Sequence, residues 1–162
     1  MIKEIISTTT KIRFADCDPI GHLNNAKYIE YMLNAREDHV EMLYGFSYEQ
    51  YTQRTGNTWI AIQNEIAYLK ELKYNTVVNI SSRLICLNER VSKVEITITN
   101  TDNTIVHAVL WASAIYFNMK SRKSETLPPT EFAIFEKELH PIIETEFSER
   151  VQMYRQKNKT NK

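Results

Sequence analysis

Between Arg13 and Tyr31 the chain reads RFADCDPIGHLNNAKYIEY. Two acids (Asp16 and Asp18), a Pro19-Ile20-Gly21 turn, the histidine His22 and the paired amides Asn24 and Asn25 fall within ten residues. A helical pattern follows at once. Acids and amides gathered where a strand ends and a buried helix begins make a place to stabilise an anion. The first N–H groups of a helix are unpaired and carry positive partial charge. Asn25 stands where the helix should start, so its backbone N–H can hold an oxygen that turns negative in a transition state. The plainer reading, Asn24 or Asn25 as N-cap, is compatible with that role. Asp18 can attack a carbonyl or activate a water, or it can simply cap the turn that Asp-Pro pairs commonly open. Asp16 reads as structural: the chain bends after it, and its carboxylate binds the backbone of the loop carrying Asp18. Gly21 and His22 form the bend. Cys17 is a poor nucleophile here, because flanking acids raise a thiol's pKa.

The elements around this segment follow from periodicity. Residues 8–16 read as a first strand, broken by Pro19 and Gly21. Residues 26–44 read as a helix with Ile29, Met32, Leu33, Arg36, Val40 and Leu43 on one stripe and Gly45 as its stop. Residues 47–56 form a short helix or irregular turn. Strands follow at 58–70, 77–87, 91–100 and 105–117. Val78, Ile80, Ser82, Leu84 and Cys86 share one face of the second of these. In the third, Val94, Ile96 and Ile98 alternate with Lys93, Glu95, Thr97 and Thr99. The fourth is apolar on both faces and so buried on both. A second helical region runs from Thr130 to about Gln156, interrupted at Pro141, and the last residues should fray. Strand, long helix, four-stranded meander and terminal helix amount to an α+β plan: one antiparallel sheet wrapped around a long central helix, plus a C-terminal helix.

Composition sets the boundaries. The chain has 162 residues, 43% hydrophobic and 25% charged, which is ordinary for a globular protein with a real core. Twenty basic residues balance twenty acidic ones, so there is no global pull toward nucleic acid or an anionic membrane. Two distant cysteines match no zinc or redox motif, and the four histidines match no ligand spacing; no metal is expected. His39, His107 and His140 read as surface or ordinary sheet residues. No stretch has signal-peptide or membrane-spanning length, so a cytoplasmic protein is expected.

The pattern Asp-x-Asp-Pro-x-Gly-His-x-Asn-Asn-x-x-Tyr, carried here by Asp16, Asp18, Pro19, Gly21, His22, Asn24, Asn25 and Tyr28, resembles the hotdog-fold acyl-CoA thioesterases, most closely the 4-hydroxybenzoyl-CoA thioesterase branch. The stretch Glu65–Leu72 resembles that branch's second strand. Tyr74-Asn75-Thr76 departs from it, where many relatives have a Gly-Asp turn. The resemblance implies a single hotdog domain over residues 1–162, with its core at about 5–120 and a helical extension at about 128–157. It implies hydrolysis of acyl-CoA thioesters to the acid and coenzyme A, with Asp18 as nucleophile or general base and the Asn25 N–H polarising the carbonyl. No cofactor is implied, since coenzyme A is part of the substrate. His22, Asn24, Tyr28, Trp59, Arg90 and Lys93 become candidate substrate-binding residues: His22 at the pantetheine end, Arg90 and Lys93 at the phosphates, Tyr28 and Trp59 along the acyl pocket. It further implies a homodimer or dimer of dimers with active sites at the interface. An acyl-carrier-protein thioesterase and a non-catalytic acyl-binding module are the alternatives. The second has no need of a carboxylate at Asp18.

Overall fold

In a computed structural model describing residues 3–162, a five-residue strand β1 (Ser7–Lys11) leads into a single 3-10 turn at Phe14–Asp16. The first strand is therefore shorter than the sequence suggests, because the chain coils before Asp16 instead of staying extended. Helix α1 (Asn25–Tyr44) follows, capped by the Asn24 side chain accepting from the Ala26 N–H at 3.0 Å. It ends at Gly45, whose φ of 75° lies in the left-handed region that favours glycine. Helix α2 (Tyr48–Thr55) opens with a capping box between Ser47 and Gln50. Then come β2 (Asn57–Tyr68), β3 (Val77–Leu87), β4 (Val91–Asn100), β5 (Val106–Asn118), a two-residue β6 (Lys123–Ser124), α3 (Pro129–Glu136) and α4 (Phe147–Thr160).

The sheet is antiparallel with order β1-β3-β4-β5-β2, and β6 is added to β5. The expected meander holds only for β3, β4 and β5. Strand β2 pairs with β5 at one edge, and residues 69–76 cross the end of the sheet to reach β3. That crossover braces the motif loop: Leu23 N–H donates to Leu72 O (2.7 Å), Tyr74 N–H to Gly21 O (3.1 Å) and Asn75 N–H to Ile12 O (3.0 Å). Asn75 takes a φ of 68° there, a left-handed conformation that Asn tolerates.

Helix α1 packs on one face of the sheet, with Tyr28, Met32 and Ala35 against Val78, Ile80, Ile96, Ile98, Ala108 and Leu110. The buried stripe is turned from the expected one. Met32, Arg36 and Val40 of that stripe are inside as expected, but Tyr28, Ala35 and His39 join them, and Leu33 is 41% exposed. A bulge between Leu84 and Cys86 reverses the alternation of β3, burying Ile85 and exposing Cys86. The other face of the sheet is covered by α4, with Val151 and Tyr154 on Ile85, Val109 and Trp111. That cover buries Glu95 (1% exposed), which the alternation of β4 places on its polar side. Glu95 accepts from Arg150 Nε (2.7 Å) and Nη2 (2.8 Å), Trp111 Nε1 (2.9 Å), Tyr154 OH (2.7 Å) and Arg83 Nε (3.1 Å). The C-terminal residues do not fray: α4 reaches Thr160, with the Asn158 amide bonded to both backbone groups of Val106.

Candidate active site

The motif loop closes on itself. Asp18 N–H donates to His22 O (2.8 Å), Gly21 N–H to Asp18 O (3.0 Å), and Cys17 bridges Leu23 in an antiparallel pair. Gly21 has a φ of 83°, which a side chain would strain. The result is a tight hairpin that carries Asp18 on one arm and delivers the other arm into the start of α1.

Asp18 is half-buried. Its Oδ1 accepts from the N–H groups of Ile20 and His22, both at 3.0 Å. Its Oδ2 has no hydrogen-bond partner among the described residues. The turn-capping and chemical readings of Asp18 thus occupy different oxygens of one carboxylate. Asp16 differs from expectation: its Oδ2 accepts from Tyr31 OH at 2.6 Å and its backbone carbonyl from Asn24 N–H at 3.0 Å. Its carboxylate holds the helix to the loop, and the loop's own backbone is held by Asp18. Lys27 Nζ stands 4.0 Å from Asp16. Burial, with Asp18 and Asp16 adding to it, pushes the Cys17 thiol up, so Cys17 stays protonated and donates to Arg13 O at 3.4 Å.

Asn24 is the N-cap and Asn25 the first helical residue. The Asn25 N–H has no acceptor among the described residues, whereas the next two are satisfied: Ala26 N–H by Asn24 Oδ1 and Lys27 N–H by Asn24 O (2.8 Å). Tyr68 OH donates to Asn25 O at 3.1 Å and meets the Tyr28 ring edge-on at 5.0 Å. Tyr28 is buried beneath, and burial raises its hydroxyl pKa. His22 points its Nε2 at Glu71 Oε2, 3.2 Å away. Sequence reasoning missed Glu71 and Tyr68 as site residues, since only the end of β2 and the crossover after it bring them to the loop.

Asp16, Asp18, Gly21, His22, Asn24, Asn25 and Tyr28 therefore cluster at one end of the sheet. Trp59, Arg90 and Lys93 do not join them within one chain. Trp59 and Tyr68 lie at opposite ends of β2, about 30 Å apart at ~3.3 Å per residue. Val91 pairs Ile115, which pairs Ile60, so Arg90 belongs to the Trp59 end. There its Nη1 reaches Ser124 Oγ at 3.5 Å. Lys93 lies on the α4 face, its Nζ 4.9 Å from the centre of the Trp111 ring. At the Trp59 end a cavity of about 160 Å³ opens between α1, α2 and the sheet, walled by Leu33, Val40, Phe46, Tyr51, Trp59 and Phe135. Among the described residues no group of three or more acids, cysteines and histidines could hold a metal ion, and no helix is long and apolar enough to cross a membrane.

A long central helix laid on a curled antiparallel sheet, with an acid-bearing hairpin at the helix start, is the hotdog architecture. The sequence pattern of the Thioesterase-like superfamily matches residues 12–135, and the chain belongs to that superfamily of thioester hydrolases. No curated protein sequence matches it. Among solved structures it is similar to the hypothetical protein SAV2348 from Staphylococcus aureus, determined in complex with CoA (TM-score 0.75, 19% identity, 90% of this chain and 92% of that one). It is also similar to YbaW, a probable thioesterase from Escherichia coli (TM-score 0.72, 22% identity, 83% and 98%), and to DHNA-CoA thioesterase from Staphylococcus aureus (TM-score 0.71, 20% identity, 82% and 89%). At these identities the likeness is one of fold.

Proposed function

We propose that the protein hydrolyses acyl-CoA thioesters, with the thioester carbonyl seated between Asp18 and the Asn25 N–H. The observation that carries this reading is the pairing, across one hairpin, of a carboxylate oxygen left free by its turn with a backbone donor left free by its helix. The helix terminus stabilises the oxyanion as it forms, and Asp18 Oδ2 attacks the carbonyl carbon or takes a proton from the attacking water. Where Asp18 attacks, the carbon–sulfur bond breaks to leave a mixed anhydride that water then hydrolyses to the acid and free Asp18. Where water attacks, the bond breaks to give the acid directly. In both cases a proton from that water ends on the sulfur, and coenzyme A leaves as a thiol. That a structural relative was determined with CoA supports the choice of carrier.

Two copies joined through β2 complete this site. Strand β2 is twelve residues long and pairs on one side only, leaving a row of backbone groups open at the sheet edge. Ile62, at its bulge, is 54% exposed. A two-fold axis that aligns two β2 strands antiparallel sets the Tyr68 end of one beside the Asn57 end of the other. The Asp18 hairpin of one protomer then faces its partner's cavity and Arg90 end. In that arrangement Trp59 lines the acyl pocket and Arg90 approaches the phosphates.

Asp18→Asn tests the chemistry. The amide oxygen still accepts from Ile20 and His22, so the turn survives and only the acid is lost. Hydrolysis across a panel of acyl-CoA esters should fall at least ~100-fold. Unchanged rates over the panel would sink the assignment.

A further inference from the structure

Arg36 is a cation that no carboxylate among the described residues neutralises. It lies on α1, 8% exposed, and is one of the residues that line the cavity at the Trp59 end. Its Nη1 donates to Ser82 Oγ at 3.1 Å, while its Nε is buried and unpartnered among the described residues. No described carboxylate stands within ion-pair distance of it. Glu138, whose charge acts on the neighbouring Tyr44 hydroxyl, is taken by Lys3 at 2.6 Å. The chain balances its other buried guanidinium, Arg150, with two carboxylates, Glu95 and Glu144. A buried, unpaired charge is costly to keep, and the fork of an arginine fits a carboxylate. The remaining walls of the cavity are apolar and aromatic apart from Ser92 and Ser113.

We infer that the cavity receives the far end of an acyl group that carries a carboxylate there, and that Arg36 binds it. This rests on the thioesterase reading above and specifies its substrate class: CoA thioesters of dicarboxylic acids. Size agrees with a short acid. An apolar cavity of about 150 Å³ holds a benzene ring, so about 160 Å³ accepts one ring or some six carbons. Arg36 lies about 16 Å along α1 from Asn25, at ~1.5 Å per residue, too far for its own helix start to share a short acyl group. The carboxylate end therefore enters from a thioester held at the partner's hairpin. The guanidinium is a specificity-determining group and takes no part in the bond-breaking step.

Matched pairs of esters test this with the full-length protein: adipoyl-CoA against hexanoyl-CoA, and 4-carboxybenzoyl-CoA against 4-methylbenzoyl-CoA. The wild type should favour the carboxylated member of a pair roughly 10- to 100-fold in kcat/KM, the scale of hydrogen bonds to charged groups. Arg36→Met should bring that ratio to about 1 or invert it, and Arg36→Lys, which keeps the charge and loses the fork, should fall between. A wild-type preference for the uncharged esters, or a ratio unmoved by Arg36→Met, overturns the inference while leaving the hydrolase reading standing. If no ester is cleaved at all, the hydrolase reading fails, and thermal shift with free adipate against hexanoate decides the site. A rise in melting temperature with adipate, absent in Arg36→Met, supports it; no rise in the wild type overturns it.

Discussion

Buried His39 sets how the fold responds to acid. It sits on α1 with 0% exposure, between Ser82 and Thr8. Ser82 Oγ accepts from Arg36 Nη1 and gives its own hydrogen to His39 Nδ1 (2.8 Å) in the tautomer that leaves Nε2 protonated. Nε2–H then donates to Thr8 Oγ1 (3.0 Å). The ring is neutral with every atom satisfied. Burial, reinforced by the Arg36 charge, lowers its pKa from 6.5 to about 4. Because the folded value lies below the unfolded one, the unfolded chain binds the proton first. Stability is intact above pH 6.5, declines as pH falls through that value, and the loss is complete below about 4. At about 1.4 kcal/mol per pH unit, lowering the pH from 7.5 to 4.5 removes roughly 2.5 kcal/mol through this one group. Urea melts at half-unit pH steps measure it directly, comparing wild type with His39→Gln, whose amide stays neutral throughout. The variant starts less stable, but its stability should fall by roughly 2.5 kcal/mol less over the interval. His107 and His140, both lowered by burial, act in the same sense in both proteins and cancel in the difference. Parallel curves for the two proteins would refute the assignment. Arg36→Met provides a cross-check: with the neighbouring charge gone, the pH slope should shrink without vanishing.

Glu95→Ala leaves Arg150 buried with only Glu144 beside it and should cost about 3–5 kcal/mol in urea unfolding, with Glu95→Gln between it and wild type; a loss under ~1 kcal/mol would show that solvent reaches the pocket. Arg90→Ala should raise KM for acyl-CoA esters roughly 10-fold and leave acyl thioesters of N-acetylcysteamine unaffected; equal effects on both would remove Arg90 from the nucleotide end. Sedimentation should find no monomer at micromolar concentration, and Ile62→Lys, placing a charge on the open β2 edge, should release monomers and abolish hydrolysis together. An active Ile62→Lys monomer would place the whole site in one chain.

Helix α1 and strands β3 and β4 were legible from their periodicity, with Gly45 as the stop of α1, and β5 from an apolar run of the kind that a strand buried on both faces carries. What the sequence hid is pairing. Nothing in residues 58–70 says that β2 bonds to β5 and not to β3, because alternation within a strand names its faces and not its neighbour. The exposure of Cys86 was equally hidden, since a bulge inverts alternation without leaving a residue-type signature. Glu95 and His39 misled for another reason. A polar residue on an alternating strand or a helix normally faces water, and here α4 covers the first while β1 and β3 enclose the second.

The hairpin half of the site was legible residue by residue because its parts are local. Asp18, Gly21 and Asn24 each close a bond within a few positions, and local chemistry is what a sequence states openly. The acyl and nucleotide half was assigned to Trp59, Arg90 and Lys93 with no geometry to join them to Asp18. The sheet separates them by the length of β2 and places Lys93 on the far face. One strand cannot bring its own two ends together, but an antiparallel pair of such strands does so twice over. The proposed pairing of two copies through β2, with a carboxylated acyl group between them, engages the open edge of β2, the free oxygen of Asp18, the free N–H of Asn25 and the guanidinium of Arg36 at once, and the Ile62→Lys and Arg36→Met variants test its two halves separately.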